Sequence, residues 1–320
     1  MRKLAATFIF LSLSAAAQFD PPAGQTGSYA VYKDSSAIQA WALDCQVTRG
    51  YEEVDSIVLG LASVGLTSMA TGPSDAGVVS LGDGGSAILT FSSAIENGAG
   101  YDFAVFENGF SDNYLELAFV EVSSDGVNYF RFPATSNTQT AIQIGGFGYL
   151  DATKLNNLAG KYRAQYGTPF DLEELKNEAG LDVNSITHVK VIDVVGSIKN
   201  IYAGRDKNNN IINDPWPTPF ASSGFDLEAV AVLHSKPAVV EEKNVLSFSI
   251  YPNPVGDVLM LTIPGVNSST VTVLDMQGQE CAKYSASGTF YLDVSPFKEG
   301  VYLLRINSFN KVSVGKFSKM

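Results

Sequence analysis

The segment 206–214 is the part of this sequence whose residue spacing most clearly suggests chemistry. Oxygen-bearing groups recur at alternate positions, through Asp206, Asn208, Asn210, the Ile212 carbonyl and Asp214. Hard cations such as calcium are held by oxygen cages of this kind. The segment is not an EF-hand, because Ile211 and Pro217 stand where that loop has Gly and Glu. It predicts either a calcium-binding loop or a polar surface loop rich in Asx turns.

A second set of acidic residues lies in or beside apolar strand-like segments: Glu107, Asp193 and Asp226. A carboxylate within an apolar strand is costly unless it is paired, hydrogen-bonded or bound to a metal. We therefore expect these three carboxylates to converge on the loop 206–214 and to complete its calcium site. The alternative is that each accepts separate hydrogen bonds from turn backbone.

Aromatic residues are concentrated in the Gly- and Pro-rich segments between the strands. The candidates for ligand contacts are Phe110, Tyr114, Phe147, Tyr149 and Trp216, together with the polar Asn108. Flat rings beside amide and carboxylate groups suit recognition of a sugar or another flat amphipathic ligand. Proline on both sides holds Trp216 stiffly, which lowers the entropy lost on binding. The alternative is that these rings cap the core.

Catalytic residues are not singled out by any motif. We find no Gly-x-Ser-x-Gly elbow, no His-Glu-x-x-His helix and no phosphate-binding loop. The two histidines, His188 and His234, lie in strand-like segments, which disfavours a zinc site or a catalytic triad. Two carboxylates can cleave a glycoside, but no pair stands out from the other acids. We expect a binding protein rather than an enzyme, with a polysaccharide hydrolase as the catalytic alternative.

The charge of the chain limits its partners. The formal net charge is −12, and Lys and Arg form no cluster. Because binding to nucleic acid normally needs a basic patch, nucleic acid is not expected as a partner.

The elements that position these residues are predicted to be short β-strands. Residues 18–235 alternate short apolar segments with Gly, Asp and Asn turns, a pattern typical of sandwiches. Two segments favour helices, one over 152–166 and one that begins at Asp171 with Glu174 three residues later. We therefore predict an all-β protein whose main domain, 18–235, is a jelly-roll-type β-sandwich with a short helical insertion.

The N-terminus has the pattern of a secretory signal peptide, predicted over residues 1–17. Two basic residues precede an apolar run over 4–13, and small residues follow it. Cleavage is predicted between Ala17 and Gln18. The run is too short to span a bilayer, and no second long apolar run follows, so no transmembrane segment is expected.

The chain changes character after residue 235. Residues 236–246 lack a clear hydrophobic period and carry a proline and several charges, as expected of an exposed linker. Residues 247–320 then form a series of short strand-like segments, which predicts a small Ig-like β-sandwich.

Four motifs follow one another in this last segment, before a final strand with lysines near its end. They are Tyr-Pro-Asn-Pro at 251–254, Val-Thr-Val-Leu-Asp at 271–275, Leu-Asp-Val-Ser at 292–295 and Gly-Val-Tyr-Leu-Leu-Arg-Ile at 300–306. Together they resemble the type A C-terminal sorting domain of the type IX secretion system. The resemblance implies a Bacteroidetes protein that meets the type IX machinery and its sortase. It is then attached to surface lipopolysaccharide or released, so the expected location is the outer cell surface or the medium.

Three motifs of the main domain also suggest a family: Gly-Tyr-Asp-Phe-Ala-Val-Phe-Glu-Asn-Gly at 100–109, Phe-Val-Glu-Val-Ser-Ser-Asp-Gly-Val-Asn-Tyr-Phe at 119–130 and Gly-Phe-Asp-Leu-Glu-Ala-Val at 224–230. They resemble jelly-roll cell-surface proteins of bacteria, and the turn at 120–126 is similar to that of galactose-binding-like modules. The resemblance implies a binding protein for a glycan or another nutrient. Some related surface lipoproteins capture cobalamin beside outer-membrane transporters, which gives an alternative. This chain departs from the lipoprotein pattern, because no lipobox cysteine follows its signal peptide.

Overall fold

The structure, a computed structural model, describes residues 19–75, 77–236, 246–266, 268–308 and 311–320. The predicted signal peptide, with its cleavage site at Ala17 and Gln18, lies outside these ranges, as do residues 237–245 of the predicted linker. The chain divides into two compact units, Met1–Ala238 and Val239–Met320. Within the described ranges, no helix is long and apolar enough to cross a membrane.

β-Strands make up most of the regular structure of the first unit. They are β1 Val31–Tyr32, β2 Ala40–Trp41, β3 Asp44–Thr48, β4 Val79–Ser80, β5 Ser86–Ile95, β6 Phe103–Glu107, β7 Ala118–Ser123, β8 Phe130–Arg131, β9 Thr135–Ser136, β10 Leu155–Asn156, β11 Tyr166–Phe170, β12 Ile186–Asp193 and β13 Asp226–Val232. Short 3₁₀ turns lie at Ile57–Leu59, Thr67–Ala70, Ala152–Lys154 and Leu172–Leu175. The strands are short because Gly, Asp and Asn supply turns between them.

Two antiparallel sheets form most of this unit. One has the order β1-β11-β6-β13-β2, with β4 beside β13, and the other has the order β3-β5-β12-β7-β8. The consecutive strands β5, β6 and β7 alternate between the sheets, as strands do in Greek-key and jelly-roll sandwiches. The predicted all-β sandwich is confirmed.

Apolar side chains from both sheets meet in one buried cluster. Leu89, Val120 and Val191 come from one sheet, and Val105 and Val230 come from the other. Each is at most 1% exposed. Burying a side chain of this size contributes about 1.5–3 kcal/mol, so the cluster holds in place the strands whose ends carry the polar residues described below.

The two segments predicted to be helical contain only single 3₁₀ turns, at Ala152–Lys154 and Leu172–Leu175. The helix predicted over 152–166 is wrong, because β10 follows the first turn at once and pairs with β9. Strand pairing there overrides the helical spacing of the apolar residues. In the second segment Asp171 caps the turn as predicted, and its side chain accepts a hydrogen bond from the N–H of Glu173.

The second unit is a small sandwich of its own. Its strands are β14 Ser249–Tyr251, β15 Val258–Ile263, β16 Ser269–Leu274, β17 Glu280–Ala286, β18 Gly288–Asp293, β19 Gly300–Ser308 and β20 Lys311–Lys319. They form two sheets, in the orders β14-β15-β18 and β17-β16-β19-β20. Leu261, Val273 and Ile306 are fully buried in a shared core. The predicted small β-sandwich is confirmed.

Candidate functional site

Strand register brings four acidic residues to one end of the first unit. β13 pairs antiparallel with β6, so the start of β13 at Asp226 lies beside the end of β6 at Glu107. β12 pairs antiparallel with β7, so the end of β12 at Asp193 lies beside the start of β7, two residues after Glu116. Residues distant in sequence meet here because antiparallel pairing sets the end of one strand beside the start of the next.

Asp193 links the two sheets at this end. Its side chain is buried and accepts hydrogen bonds from the N–H of Gly84 at 2.9 Å and from the N–H of Phe225 at 2.7 Å. Phe225 directly precedes β13 of the opposite sheet. Burial, followed by the charge of Asp83, raises the pKa of Asp193 to about 8. This carboxyl is therefore largely protonated at neutral pH.

Asp214 and Glu107 each keep one buried oxygen without a hydrogen-bond partner among the described residues. Asp214 accepts from the N–H of Leu117 at 3.0 Å through Oδ2, and its Oδ1 has no partner there. Glu107 accepts from the N–H of Gly109 at 2.8 Å through Oε2, and its Oε1 has none. Burial raises the pKa of both carboxyls well above the usual range. An unsatisfied buried oxygen costs about 1–3 kcal/mol, so each is a position where a water or a ligand donor would be favourable.

A chamber of about 10 Å³ lies beside Asp214 and is called the acid chamber. Its carboxyl groups belong to Asp83, Glu116, Asp193 and Asp214. A space of about 10–15 Å³ holds one water, so the chamber admits one water-sized group. Two of its wall residues must be glycine. A Cβ on Gly196 would lie 2.6 Å from the Cβ of Asp214, and one on Gly224 would lie 2.8 Å from Oδ1 of Asp193.

The residues of the predicted calcium site are separated in the structure. Asp206 accepts from the N–H of Asn208 at 2.8 Å and from the N–H of Asn210 at 2.9 Å, so the loop closes on its own backbone as an Asx turn. Ile212 is buried in the core, and only Asp214 of the loop lines the acid chamber. The expectation of one cage that joins the loop to the strand ends is corrected accordingly. Within the described part of the chain, no group of three or more His, Cys, Asp and Glu side chains is arranged to hold a metal ion.

A second cavity, of about 110 Å³, adjoins the acid chamber, because Glu116 and Thr218 line both. We call it the aromatic cavity. It is lined by Asn108, Phe110, Tyr114, Glu116, Gly146, Phe147, Thr218, Phe220, Ser222 and Asp226.

Four rings follow one another along the aromatic cavity. Tyr114 stacks on Phe110 with the ring centroids 5.2 Å apart and on Phe147 with the centroids 6.4 Å apart. Phe220 lies 5.9 Å from Phe147. Phe110 is 80% exposed and Phe147 is 71% exposed, so these rings do not serve the core. Contiguous exposed apolar surface of this kind marks ligand grooves or interaction sites.

Two carboxyl groups line the same cavity. Asp226 accepts hydrogen bonds from the hydroxyl of Ser80 and from Nδ2 of Asn108 at 3.5 Å. Burial raises the pKa of Asp226 to about 6. Burial, and then the charge of Asp226, raises the pKa of Glu116 well above the usual range. The pKa values of both carboxyls are therefore raised by burial.

Two of the predicted ligand residues lie elsewhere. Trp216 is only 5% exposed, and its Nε1 donates to Oδ2 of Asp83 at 2.9 Å. Its ring is thus a packing element, which corrects its prediction as a surface platform. Tyr149 is 68% exposed but does not line the aromatic cavity.

The structure brings the other four predicted ligand residues around one cavity: Asn108, Phe110, Tyr114 and Phe147. Sequence reasoning missed Asp83, Glu116 and Phe220. Glu116 stands between two buried leucines, and an alternating strand pattern places such a residue on the outward face. Phe220 ends the same Pro-rich segment that contains Trp216. Its place in that segment is the sequence feature from which it could have been predicted as a ligand residue.

The chain is similar to several solved structures. One is the BSP domain of a biofilm associated protein, at 12% identity over 90% of this chain and 52% of that chain, with a TM-score of 0.23. Another is the β-glucuronidase of Faecalibacterium prausnitzii, at 14% identity over 90% of this chain and 47% of that chain, with a TM-score of 0.22. A third is the β-glucuronidase of Ruminococcus gnavus in complex with uronic isofagomine, at 10% identity over 89% and 46%, with a TM-score of 0.22. The chain spans about half the length of these structures.

No curated protein matches the chain. Residues 249–320 match the family described as the secretion system C-terminal sorting domain. The match runs from β14 to β20, the whole of the small sandwich. The C-terminal unit of this protein is therefore a type IX secretion system sorting domain, and the protein is exported to the cell surface or secreted.

Proposed function

We propose that the first unit is an extracellular binding module that recognises a glycan in the aromatic cavity. The observation that supports this most is the row of four rings beside two carboxyl groups: Phe110, Tyr114, Phe147 and Phe220 with Glu116 and Asp226. Export to the surface or the medium gives such a cavity access to extracellular polysaccharide.

The exposed rings favour a sugar because a sugar ring has one flat apolar face. Covering Phe110 and Phe147 removes apolar surface from water while the sugar hydroxyls remain free to hydrogen-bond. At about 25 cal/mol per Å², covering about 100 Å² contributes about 2.5 kcal/mol before the costs of association. A single sugar therefore binds weakly here, and useful affinity needs more than one.

The polar groups of the cavity supply directional contacts. Asn108 and Ser222 offer amide and hydroxyl groups, and the ionised Asp226 accepts charge-assisted hydrogen bonds from sugar hydroxyls. A further cavity of about 230 Å³ shares Asn108 as a lining residue and also contains Lys33 and Gln165. We propose that consecutive sugars of one chain occupy the two adjoining cavities.

Two neighbouring aromatic residues give a matched test. Phe147 lines the cavity and is 71% exposed, whereas Tyr149 is 68% exposed and does not line it. The full-length mature protein is first screened on a glycan array, and the best ligand is then titrated by calorimetry. Phe147→Ala is expected to weaken binding about tenfold, the equivalent of about 1.4 kcal/mol, and Tyr149→Ala less than about twofold. Equal losses in the two variants, or no glycan bound by the parent protein, would contradict the proposal.

Glycoside cleavage is a second candidate, favoured by the two carboxyl groups, Glu116 and Asp226, that line one cavity. A pair of carboxyl groups can supply the acid and the base or nucleophile that this reaction needs. Release of reducing ends from a polysaccharide panel, abolished by Asp226→Asn, would support it. Cobalamin capture stays a prediction from the sequence resemblance.

A further inference from the structure

The aromatic cavity and the acid chamber concentrate carboxyl groups without a cation. Glu116 and Asp226 line the cavity, and Asp83, Asp193 and Asp214 lie around the adjoining chamber. None of the five forms a salt bridge with a Lys, Arg or His among the described residues. Buried carboxyl groups are normally paired, so this end of the unit is short of positive charge.

Arg49 and Lys199 approach this region, but both interact with other groups. The positive charge of Arg49 opposes the rise in the pKa of Asp226 that burial causes. Its guanidinium, however, donates to the backbone carbonyls of Val64 at 2.7 Å, Gly65 at 2.6 Å and Ser80. Lys199 lies over the ring of Trp216 at 4.9 Å and pairs with Asp55. Neither is among the residues that line the aromatic cavity.

An unpartnered oxygen also favours a ligand that donates hydrogen bonds. Asp214 is 3% exposed and lines the acid chamber, and its Oδ1 has no hydrogen-bond partner among the described residues. Glu116 lines both the chamber and the cavity, so a donor group bound beside Glu116 would lie at the wall that the cavity shares with the chamber. The exposed rings add a further preference, because aromatic faces attract cations.

We infer that the aromatic cavity takes a glycan with a protonated amino group, an amino sugar that is not acetylated, in preference to neutral or acidic sugars. This inference rests on the proposed glycan-binding function and names the class of glycan. An ammonium group donates up to three hydrogen bonds and neutralises charge, whereas a hydroxyl donates one and leaves the charge in place. A uronic acid would add a further negative charge to a site that already lacks cations.

Oligosaccharides of glucosamine and of N-acetylglucosamine, matched in length, separate this inference from the general function. The two ligands differ in the charge and the acetyl group of one nitrogen on each sugar. Calorimetry with the full-length mature protein at pH 7 is expected to show the glucosamine oligomer binding at least about tenfold more tightly, as expected for a charge-assisted hydrogen bond. Addition of about 150 mM salt should reduce the difference, because screening weakens exposed charge interactions.

Two isosteric variants assign the preference to the cavity. Asp226→Asn and Glu116→Gln keep the shape of each side chain and remove its ionisable carboxyl, and they should reduce the preference to within about threefold. Glu178→Gln removes the same charge from an exposed residue that does not line the cavity, and it should leave the preference unchanged. Circular dichroism and the melting temperature show whether each variant is folded.

The outcomes distinguish failure of the inference from failure of the function. Equal affinity for the two oligomers, or tighter binding of the acetylated one, overturns the inference and leaves the proposed glycan binding intact. If the protein binds neither oligomer but binds another neutral glycan, the inference is likewise overturned and the proposed glycan binding stays intact. Binding that is abolished by EDTA and restored by calcium would show that a metal neutralises the carboxyl groups, and it would also overturn the inference. No binding to any glycan overturns both.

Discussion

The N–H of Phe225 donates a hydrogen bond to Oδ1 of Asp193 at 2.7 Å, and this contact joins the two sheets of the first unit at the end that contains the candidate site. Asp193 ends β12, and Phe225 directly precedes β13. The other oxygen of Asp193 accepts from the N–H of Gly84. One buried carboxyl thus satisfies two backbone donors that the sheets leave unpaired, which explains why a carboxyl stands in an otherwise apolar strand.

Replacing Asp193 by Ala should destabilise the first unit. The buried N–H of Phe225 and the partly exposed N–H of Gly84 would both lose their acceptor, at a cost of about 1–4 kcal/mol in the free energy of unfolding. Asp193→Asn keeps one acceptor and should cost about 1–2 kcal/mol. Urea unfolding of the mature protein measures both. Equal losses for the two variants would show that the hydrogen bonds are not the cause.

The stability of the first unit should fall as the pH rises from about 4 to about 8. The pKa of Asp193 is about 8 in the folded protein, whereas an aspartate in an unfolded chain has a pKa of about 3.9. Between these values the folded state binds the extra proton, so its contribution is fully present below about pH 4 and is lost as the pH rises through about 8. Burial raises the pKa of Glu107, Glu116 and Asp214 as well, which acts in the same direction.

Thermal unfolding at intervals between about pH 4 and about pH 9 measures this dependence, and Asp193→Asn provides its control. The variant has no carboxyl to titrate at this position, so its stability should fall less steeply over the same range. A melting temperature of the parent protein that rises towards pH 8 would contradict the raised pKa of Asp193.

Trp216→Phe should weaken folding without weakening ligand binding. The substitution removes the hydrogen bond from Nε1 to Oδ2 of Asp83, which leaves that buried oxygen with the N–H of Val54 as its partner. The expected loss is about 1–3 kcal/mol in the free energy of unfolding. Glycan affinity should change less than about twofold, because the ring is not part of the aromatic cavity. A variant that keeps its stability but loses affinity would restore Trp216 as a ligand residue.

A chain that ends at Leu246 should fold its first unit but fail to leave the cell. It lacks the sorting domain matched over 249–320, whereas the first unit has a hydrophobic core separate from that of the sorting domain. Fractionation of the native host should find this chain in the periplasm and the full-length protein at the surface or in the medium. Surface display of the shortened chain would contradict the sorting role.

Local sequence patterns accounted for much of the architecture. Alternating apolar residues and Gly, Asp or Asn turns predict the strands of both sandwiches, and the spacing of Asp171 and Glu174 predicts the cap that the structure shows. The same local reasoning failed over 152–166, because helical spacing of apolar residues is also compatible with a turn followed by a short strand. The pairing of β10 with β9 decided that segment, and no local pattern contains such a partner.

The fold class, the sorting domain and the aromatic character of the loops follow from the sequence alone, because each depends on residues that are close together in the chain. Which side chains meet depends on the tertiary structure. Asp83 and Trp216 are 133 residues apart and share a hydrogen bond, and that contact removes Trp216 from the surface. The side chain of Asp206 accepts a hydrogen bond from within its own loop. Glu116, by contrast, lines the acid chamber together with acidic residues of distant strands and loops. Strand register and sheet packing set these contacts, and both depend on the whole chain.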